Sequence, residues 1–576
     1  RWRKEFTKPF RDSEIRILEK LSDAIDQLWN DHTKQLRKLR KQTTDPIDIF
    51  GQSSNTEDTK STSIHLKDKR YGQELLSKNI KNSSPYRRLK MVMDYWCSLW
   101  FWPIRKADLL PSRQEFLEDI QMILEGRMVY NEVREGEQTL LFPDTMPRQM
   151  VLDLKQKYGI VDVENLAKEI PRIGLVKELA ERYKFLHWEL EFADIFADNG
   201  GFNLIVGNPP WIKVEWNEAG VIGDFEPLFV LRRMSASELA ELRAEVLEHY
   251  DALDFYLSGY EGQEAMQEYL NSLQNYPLLQ GTQSNLYKCF LPEAWYIGAE
   301  DGASGFLHPE GVYDDPNGGK IRKEIYKRLI NHFQFVNELK LFADPDHHIK
   351  FSVNIYRNIF SDNIKFENIS NLYSVSTVYS CYSHSGKGNV GGIKDENGKW
   401  NINGHRDRII HVDEKLLQLF ARLYDSSGTP AIEARLPAIH AIQLISVLRK
   451  FAEYPDRLGD IADEYTSTEM WHETNAQKEG TIRRETRFPK NKSEWILSGP
   501  HFYVGTPLNK TPRKICNLNS HYDPIDINII PDDYLPRTNY VPDCSTTEYR
   551  KRTPGVPWDK NAKVTDYYRL DRKSVV

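Results

Sequence analysis

The sequence predicts an α/β fold, and two observations carry that prediction. A short apolar run, Phe202-Asn203-Leu204-Ile205-Val206-Gly207, ends in glycine and leads straight into a proline-rich turn. That is the pattern of a buried central strand in a parallel sheet. Strand-like and helix-like stretches then alternate as far as about residue 360, which is the signature of a sheet covered by helices.

The elements follow in order. From Asp12 to about Lys41, residues Ile15, Leu18, Leu21, Ile25, Leu28, Leu36 and Leu39 recur in three- and four-residue steps, predicting a long amphipathic helix. Its tip carries Lys34, Arg37, Lys38, Arg40 and Lys41; phosphate contact is open to such a tip, and a solvated face is the favoured reading. Residues 42–70, polar and rich in Ser, Thr and Asp, read as a linker. Helical periodicity returns from Tyr86 to Lys184, with the aromatic cluster Trp96–Trp102 read as core. Residues 1–184 are therefore expected to form a mainly helical region, inserted within or before the sheet-bearing segment 185–365. In that segment a helical stretch over about 235–275 precedes a strand at Ser304–Leu307 and a helix at Lys320–Asn331. Strands at Val336–Phe342 and Phe351–Ile359 are expected to pair antiparallel. A connector over 366–465 carries the hairpin signals Glu396-Asn397-Gly398 and Ile402-Asn403-Gly404, then helices near 414–424 and 436–454. Residues 466–570 are turn-rich, and basic residues outnumber acidic ones over 471–576 although the whole chain carries a net charge of -7.

Composition bounds the function. A chain of 576 residues with 40% hydrophobic content has the material for three or four packed units, which excludes a disordered chain. The five cysteines, at 97, 289, 381, 516 and 544, fall in no paired spacing. That excludes a disulfide framework and a zinc ribbon. No apolar run approaches the ~18 residues of a membrane span, so no membrane partner is expected, and the unpaired cysteine spacing points to reduced thiols and a cytoplasmic location.

The residues with most chemical content are Asn208-Pro209-Pro210-Trp211, directly after the predicted strand. Two prolines have fixed φ and no N–H, and each biases its predecessor towards extended backbone. The turn is stiff, so the Pro209 carbonyl and the Asn208 side-chain oxygen can project into the crevice at the carboxyl end of the sheet. Trp211 sets a flat apolar face beside them. Two acceptors and a stacking surface suit an exocyclic amino group on a nucleobase, whose lone pair is delocalised into the ring. Accepting both N–H hydrogens localises that lone pair and aims it outward, ready to attack a sulfonium methyl donor in line. The base reaches such a pocket by leaving the duplex, and stacking worth about 1–3 kcal/mol per base helps to hold it.

FNLIVGNPPW resembles the fourth motif of S-adenosylmethionine-dependent amino-methyltransferases, in the adenine-N6 DNA branch. The longer stretch HWELEFADIFADNGGFNLIVGNPPW resembles large bacterial restriction–modification and phage-defence methylases, including the phage-exclusion type. SNLYKCFLPEAW, GFLHPEGVY, IRKEIYKRL, FVNELKLF and KFSVNIYR are similar to later strands and helices of the same domain. The resemblance spans roughly 185–360 strongly, and 86–184 and 466–570 weakly. It implies a class I (Rossmann-like) methyltransferase domain with a helical insertion and a C-terminal mixed α/β target-recognition region. It also implies roles: Asn208 and Pro209 accept the adenine amino hydrogens, Trp211 stacks on the flipped base, and Phe351 is a second stacking aromatic. Asp194 contacts the cofactor adenine, Ile195 packs on it, and Asn208 and Pro210 line the cofactor side. Asn203 stands where the family has Asp.

One family feature is missing. The aromatic-x-Gly-x-Gly cofactor loop expected before the fourth motif has no counterpart between 1 and 200, and the chain opens on Arg1 rather than Met. The terminal Asp571–Val576 resembles a read-through of a sequencing adapter, so a non-native tail and an incomplete domain, beginning downstream of the cofactor loop, are expected. The formal G-x-G-x-x-G at Gly386, Gly388 and Gly391 leads into hairpin-like sequence and reads as a turn. Glu338-Leu339-Lys340, with Asp314 and Asp315 upstream, matches a nuclease pattern in form and reads as an ordinary strand. His347 and His348, beside Asp344 and Asp346, read as a loop, because adjacent histidines point apart on an extended chain; no metal site is expected. Arg483, Arg484, Arg487, Lys490, Lys510, Arg513 and Lys514 lie among aromatics. Solvated loops are open to them, and the family analogy favours DNA contact.

The expected activity is transfer of a methyl group from S-adenosylmethionine to the N6 amino group of a flipped adenine at a specific site in double-stranded DNA. Restriction–modification or phage defence is the setting, with other defence-system subunits as possible partners. Methylation of cytosine N4 or of a non-DNA amino group, and a catalytically inactive DNA-binding or specificity protein, remain open.

Overall fold

The computed structural model describes residues 2–44, 63–69, 84–125, 162–232, 236–282, 285–454 and most of 456–567. Much of the predicted linker, the stretch 126–161 and the terminal 571–576 lie outside the described residues. The chain divides into two compact units, 1–453 and 454–576.

In the first unit, α1 (Asp12–Thr43) realises the long amphipathic helix. It packs with α2 (Pro85–Ser98), α3 (Arg113–Glu125), α4 (Val163–Glu169) and α5 (Pro171–Tyr183). Leu21, Leu89, Tyr95, Ile123, Ile173 and Val176 form their shared core. A buried polar contact ties three of these helices: Asp119 accepts from the Tyr95 hydroxyl at 2.7 Å and from Arg172 Nε at 2.6 Å. The tip of α1 is not simply solvated. Arg37 pairs with Asp198 and Arg40 with Asp194, both on α6 (Ala193–Asn199).

The sheet has six strands in the order β1-β2-β4-β3-β5-β6. They are β1 (Phe202–Gly207), β2 (Gly298–Pro309), β3 (Leu329–Val336), β4 (Lys350–Arg357), β5 (Lys365–Leu372) and β6 (Ile410–Asp413). β1 runs parallel to β2 and β3 parallel to β5, whereas β4 and β6 are antiparallel to their neighbours. The carboxyl ends of β1, β2, β3 and β5 therefore share one edge of the sheet. Two glycines set β1 in place. Gly200 closes α6 at φ 72, and a Cβ on Gly201, at φ 146, would sit 2.5 Å from the Ile297 carbonyl oxygen.

Three expectations are corrected. β1 is an edge strand among the described residues, not a central one: it pairs only with β2, and Leu204 and Val206 are 68% and 75% exposed. An unbroken apolar run reports what a strand is able to bury, not its rank in the sheet. The helix expected to reach Asn331 stops at Arg328, and the next strand occupies 329–336 rather than 336–342. The reason is local: Asn337 starts a 3-10 turn and Lys340 takes a left-handed conformation at φ 53, so the chain leaves the sheet there. The helix expected over 436–454 starts at Gln443. In addition, β5 and β6 carry the sheet past residue 365, and the division into units falls inside the predicted connector.

Side chains on β2 to β5 alternate between two faces. Leu307, Phe333, Phe335, Phe351, Val353 and Ile369 line one. The other carries His308, His332, Gln334, Ser352, Asn354 and Asn368, all buried. It is covered by α7 (Leu286–Ile297), α8 (Gly319–Arg328) and α9 (Glu414–Tyr424), whose Leu291, Ile325 and Leu417 join a core with Phe306, Tyr356 and Phe366. The polar groups satisfy one another: His332 Nε2 lies 3.1 Å from Glu310 Oε1, its Nδ1 2.7 Å from Asn368 Oδ1, and Gln334 Nε2 donates to Glu310 Oε2 at 3.2 Å.

The second unit is built from short two-stranded ladders. Ile482–Arg487 pairs antiparallel with Thr538–Pro542, and Lys510–Pro512 with Tyr522–Pro524. Its small core contains Ala476, Ile482 and Tyr540. All five cysteines of the chain are free thiols. No helix among the described residues is long and apolar enough to cross a membrane.

Candidate active site

The Asn208-Pro209-Pro210-Trp211 turn leaves β1 at the shared carboxyl edge. Asn208 and Pro210 are exposed, Pro209 is buried and Trp211 is half-buried. Among the described residues the Asn208 side chain has no hydrogen-bond partner, and the Pro209 carbonyl accepts no backbone hydrogen bond. Both acceptors remain available, as a proline-stiffened turn allows. The chain beyond the turn is held firmly. The Leu286 N–H donates to the Ile212 carbonyl at 3.0 Å, Lys213 bridges to Asn285, and Gln267 Nε2 donates to the Val214 carbonyl at 2.6 Å.

Trp211 lies against an aromatic cluster on the sheet. Its ring centroid is 5.8 Å from Phe351 and 5.9 Å from Phe342, and its Nε1–H makes a long hydrogen bond of 3.4 Å to the Leu307 carbonyl. Phe351, at 3% exposure, stacks on Phe335 at 5.5 Å with the ring planes nearly parallel. Trp211 and Phe351 are thus brought together, with Trp211 the more open of the two. Phe342 was not singled out in the sequence; it comes from the β3–β4 loop, and no local pattern announces its contact with Trp211.

Asp194 and Ile195 sit on α6, ahead of β1. Asp194 is 2% exposed and its carboxylate accepts from the Arg40 guanidinium, with Nη2 at 2.9 Å from Oδ1. Burial pushes its pKa up, but the hydrogen bonds and charge of Arg40 outweigh that and hold it below the ordinary carboxylate range. Arg40 is 154 residues away in sequence, so no spacing rule announces the pair.

The other candidates have the following surroundings. Gly386 and Gly388 adopt φ of 81 and 94 in an irregular loop with no helix at its end. Glu338 and Leu339 lie in a 3-10 turn rather than a strand, and Asp315 pairs with Lys288 at 3.0 Å. In the second unit, Arg483 pairs with Glu485 and Asp543, Arg487 with Glu485 and Glu494, and Arg513 with Asp523. Arg484 donates to the Cys516 carbonyl, Lys490 and Lys514 are exposed, and Lys510 is half-buried. A cavity of about 300 Å³ lies among the helices, lined by Arg87, Asp94, Glu164 and Lys177; no residue of the turn lines it.

Residues 93–229, which include the turn, match the Eco57I restriction-modification methylase family. That stretch is thus similar to a restriction-modification methylase. No curated protein matches the chain. Solved structures give distant likenesses. One is the ATP-dependent Type ISP restriction-modification enzyme LlaBIII bound to DNA, at 10% identity and a TM-score of 0.17 over 34% of this chain. A nuclease-deletion mutant of the Type ISP enzyme LlaGI, in complex with a DNA substrate mimic, matches at 13% and 0.16 over 38%. The Type I restriction enzyme EcoKI M protein matches at 11% and 0.18 over 69% of this chain and 99% of its own. The chain spans 11% and 18% of the length of the two Type ISP enzymes.

Proposed function

We propose that this chain acts in a site-specific DNA methyltransferase, transferring a methyl group from S-adenosylmethionine to the N6 amino group of a flipped adenine in a restriction–modification or phage-defence setting. One observation carries the reading: a stiff Asn-Pro-Pro turn at the carboxyl edge of an α/β sheet, with two unengaged acceptors beside a half-open indole. Asn208 Oδ1 and the Pro209 carbonyl accept the two amino hydrogens, which turns the nitrogen lone pair outward. Trp211 stacks on the extruded base, and the aromatic cluster behind it keeps the indole plane fixed. The class I topology belongs to the same reading, as do double-stranded DNA and other defence subunits as partners.

The methyl donor, when bound, supplies an electrophilic methyl group. The described residues fit the acceptor side better than the donor side. Asp194, the carboxylate assigned to the cofactor adenine, is buried and committed to Arg40. The same pair favours a second reading, a DNA-binding or specificity protein without catalysis.

The test is to express the gene in a host free of DNA methylation and map modified bases by single-molecule sequencing, with Asn208→Ala as control. N6-methyladenine at a defined motif, lost in the variant while DNA binding persists, is the expected result. Unmodified adenines with intact DNA binding defeat the enzyme reading, and N4-methylcytosine in their place reassigns the acceptor.

A further inference from the structure

The loop between β3 and β4 emerges at the same edge as the Asn208 turn, and it does not run extended as its sequence suggests. Asn337 is fully buried and organises it. Its Nδ2 donates to the carbonyls of Phe342, Pro345 and Asp346 at 2.9, 3.1 and 3.3 Å, and its Oδ1 accepts the Phe342 N–H at 2.9 Å. The Asn337 N–H reaches the Ile349 carbonyl at 3.0 Å, closing the base of the loop. Folded this way, the chain brings His347 and His348 together with ring centroids 3.7 Å apart, and places His348 Nδ1 2.9 Å from Glu338 Oε1. One ligand atom from each of Glu338, His347 and His348 lies within 4.8 Å of the others.

We propose that Glu338, His347 and His348 form a binding site for a divalent transition-metal cation of the zinc class. Two imidazoles and a carboxylate are borderline donors that suit zinc, cobalt or nickel better than magnesium or calcium. At metal–ligand distances of about 2.0–2.1 Å, a tetrahedral ion spaces its ligands roughly 3.4 Å apart. The three groups close to that spacing by turning side chains alone, because both histidines are exposed and the backbone is held by Asn337. The cation takes the place of the hydrogen between Glu338 and His348: His348 coordinates through Nδ1 as a neutral imidazole and carries its one ring proton on Nε2. Water fills the fourth position.

Asp346 is the supporting residue. Its Oδ1 accepts the His348 N–H at 2.8 Å and lies 3.7 Å from His347 Nδ1, so it braces the turn that carries both histidines. The site has a mechanical consequence. It links the β3 side of the loop to the β4 side, and the loop between them carries Phe342, whose ring meets Trp211 at 5.9 Å and Phe351 at 5.1 Å. A bound cation stiffens the platform behind Trp211.

This inference goes beyond the methyltransferase reading and is tested without it. The chelator-treated protein is titrated with Zn²⁺ by calorimetry and with Co²⁺ by visible absorption. The expected result is one site with a tetrahedral Co²⁺ spectrum, absent from the His347→Ala, His348→Ala double variant and weakened about 10- to 100-fold in Asp346→Ala. Circular dichroism of the metal-free proteins checks that the variants fold. Should the double variant not fold, Glu338→Gln, which keeps a hydrogen-bond acceptor for His348, is expected to lose the site alone. A wild type that binds no cation, or variants that bind as the wild type does, overturns the proposal.

Discussion

Acidification should destabilise the first unit through His308, which lies on the sheet face opposite Trp211. His308 is fully buried on the polar face of the sheet, and burial pulls its pKa down to about 4. Its Nδ1 lies 2.9 Å from the Pro309 carbonyl, which only accepts, so Nδ1 carries the proton. Nε2 then accepts from the Tyr356 hydroxyl at 2.9 Å. Protonating Nε2 reverses that bond and leaves the Tyr356 proton only the Tyr313 hydroxyl, at 3.4 Å. Tyr287, Tyr313, His332 and Glu310 are the other titratable groups around it. Because the folded pKa lies below the unfolded value of 6.5, the unfolded chain takes the proton first. This contribution to stability is whole above pH 6.5 and is lost as the pH falls towards 4. Two and a half pKa units correspond to about 3.4 kcal/mol in full, of which about 2 kcal/mol is gone by pH 5. His332 works the other way: although burial disfavours its charged form, Glu310 raises its pKa, so it contributes stability below pH 6.5 that is lost as the pH rises through its folded value. Comparing wild type with His308→Gln largely cancels that contribution, since the amide retains a donor and an acceptor for the same partners. Urea unfolding of both proteins at pH 7.5 and pH 5 should show the wild type losing about 2 kcal/mol more than the variant. Equal losses would refute the assignment of a neutral, buried His308.

Two further outcomes follow from the site. Phe351→Ala should cost about 3–5 kcal/mol of stability, since Phe351 is 3% exposed and packed between Phe335 and Trp211. Under the proposed function, Trp211→Ala should cost less stability but weaken binding of DNA by about 1–3 kcal/mol, a difference read by pairing thermal melts with fluorescence-anisotropy titrations. The reverse ranking would make Trp211 a packing residue and Phe351 the base platform. Gly201→Ala, whose new methyl would meet backbone at 2.5 Å, should destabilise the unit by about 1–3 kcal/mol by displacing β1; an unchanged melting temperature would show that the close approach at Gly201 does not constrain the strand.

Much of this arrangement was legible along the chain because its signals are local. The leucine spacing of α1 and the helix over 414–424 were read to within two residues, and the apolar run before Asn208 was read as the strand it is. What could not be read is relational. Nothing near Phe202–Gly207 states that β1 lies at the sheet edge, because edge position depends on which distant segment pairs with it. The start of β3 was misplaced because Lys320–Asn331 continues a helical pattern, and the strand begins only where packing against β4 and β5 outweighs that preference. The Arg40–Asp194 pair and the contact of Phe342 with Trp211 join residues more than a hundred positions apart. The two adjacent histidines were discounted on the premise of an extended backbone, and the side chain of Asn337 is what breaks that premise.

The two-faced sheet also bears on how faithfully the chain assembles. In most half-buried strands a slip of one residue exposes apolar side chains and buries polar ones of little consequence. On β3 and β4 both faces are interior, one aromatic and one hydrogen-bonded. A slip of either strand would press Phe333 and Phe335, or Phe351 and Val353, against Glu310 and His308, and bring His332 or Ser352 under Trp211. Each misplaced polar group then lacks its partner, at about 1–3 kcal/mol apiece. The penalties accumulate along the strand, so the sequence rejects wrong alignments as strongly as it rewards the right one. Alignment errors at the edge that carries Asn208 and Trp211 are thereby proofread by residues on the opposite face of the sheet.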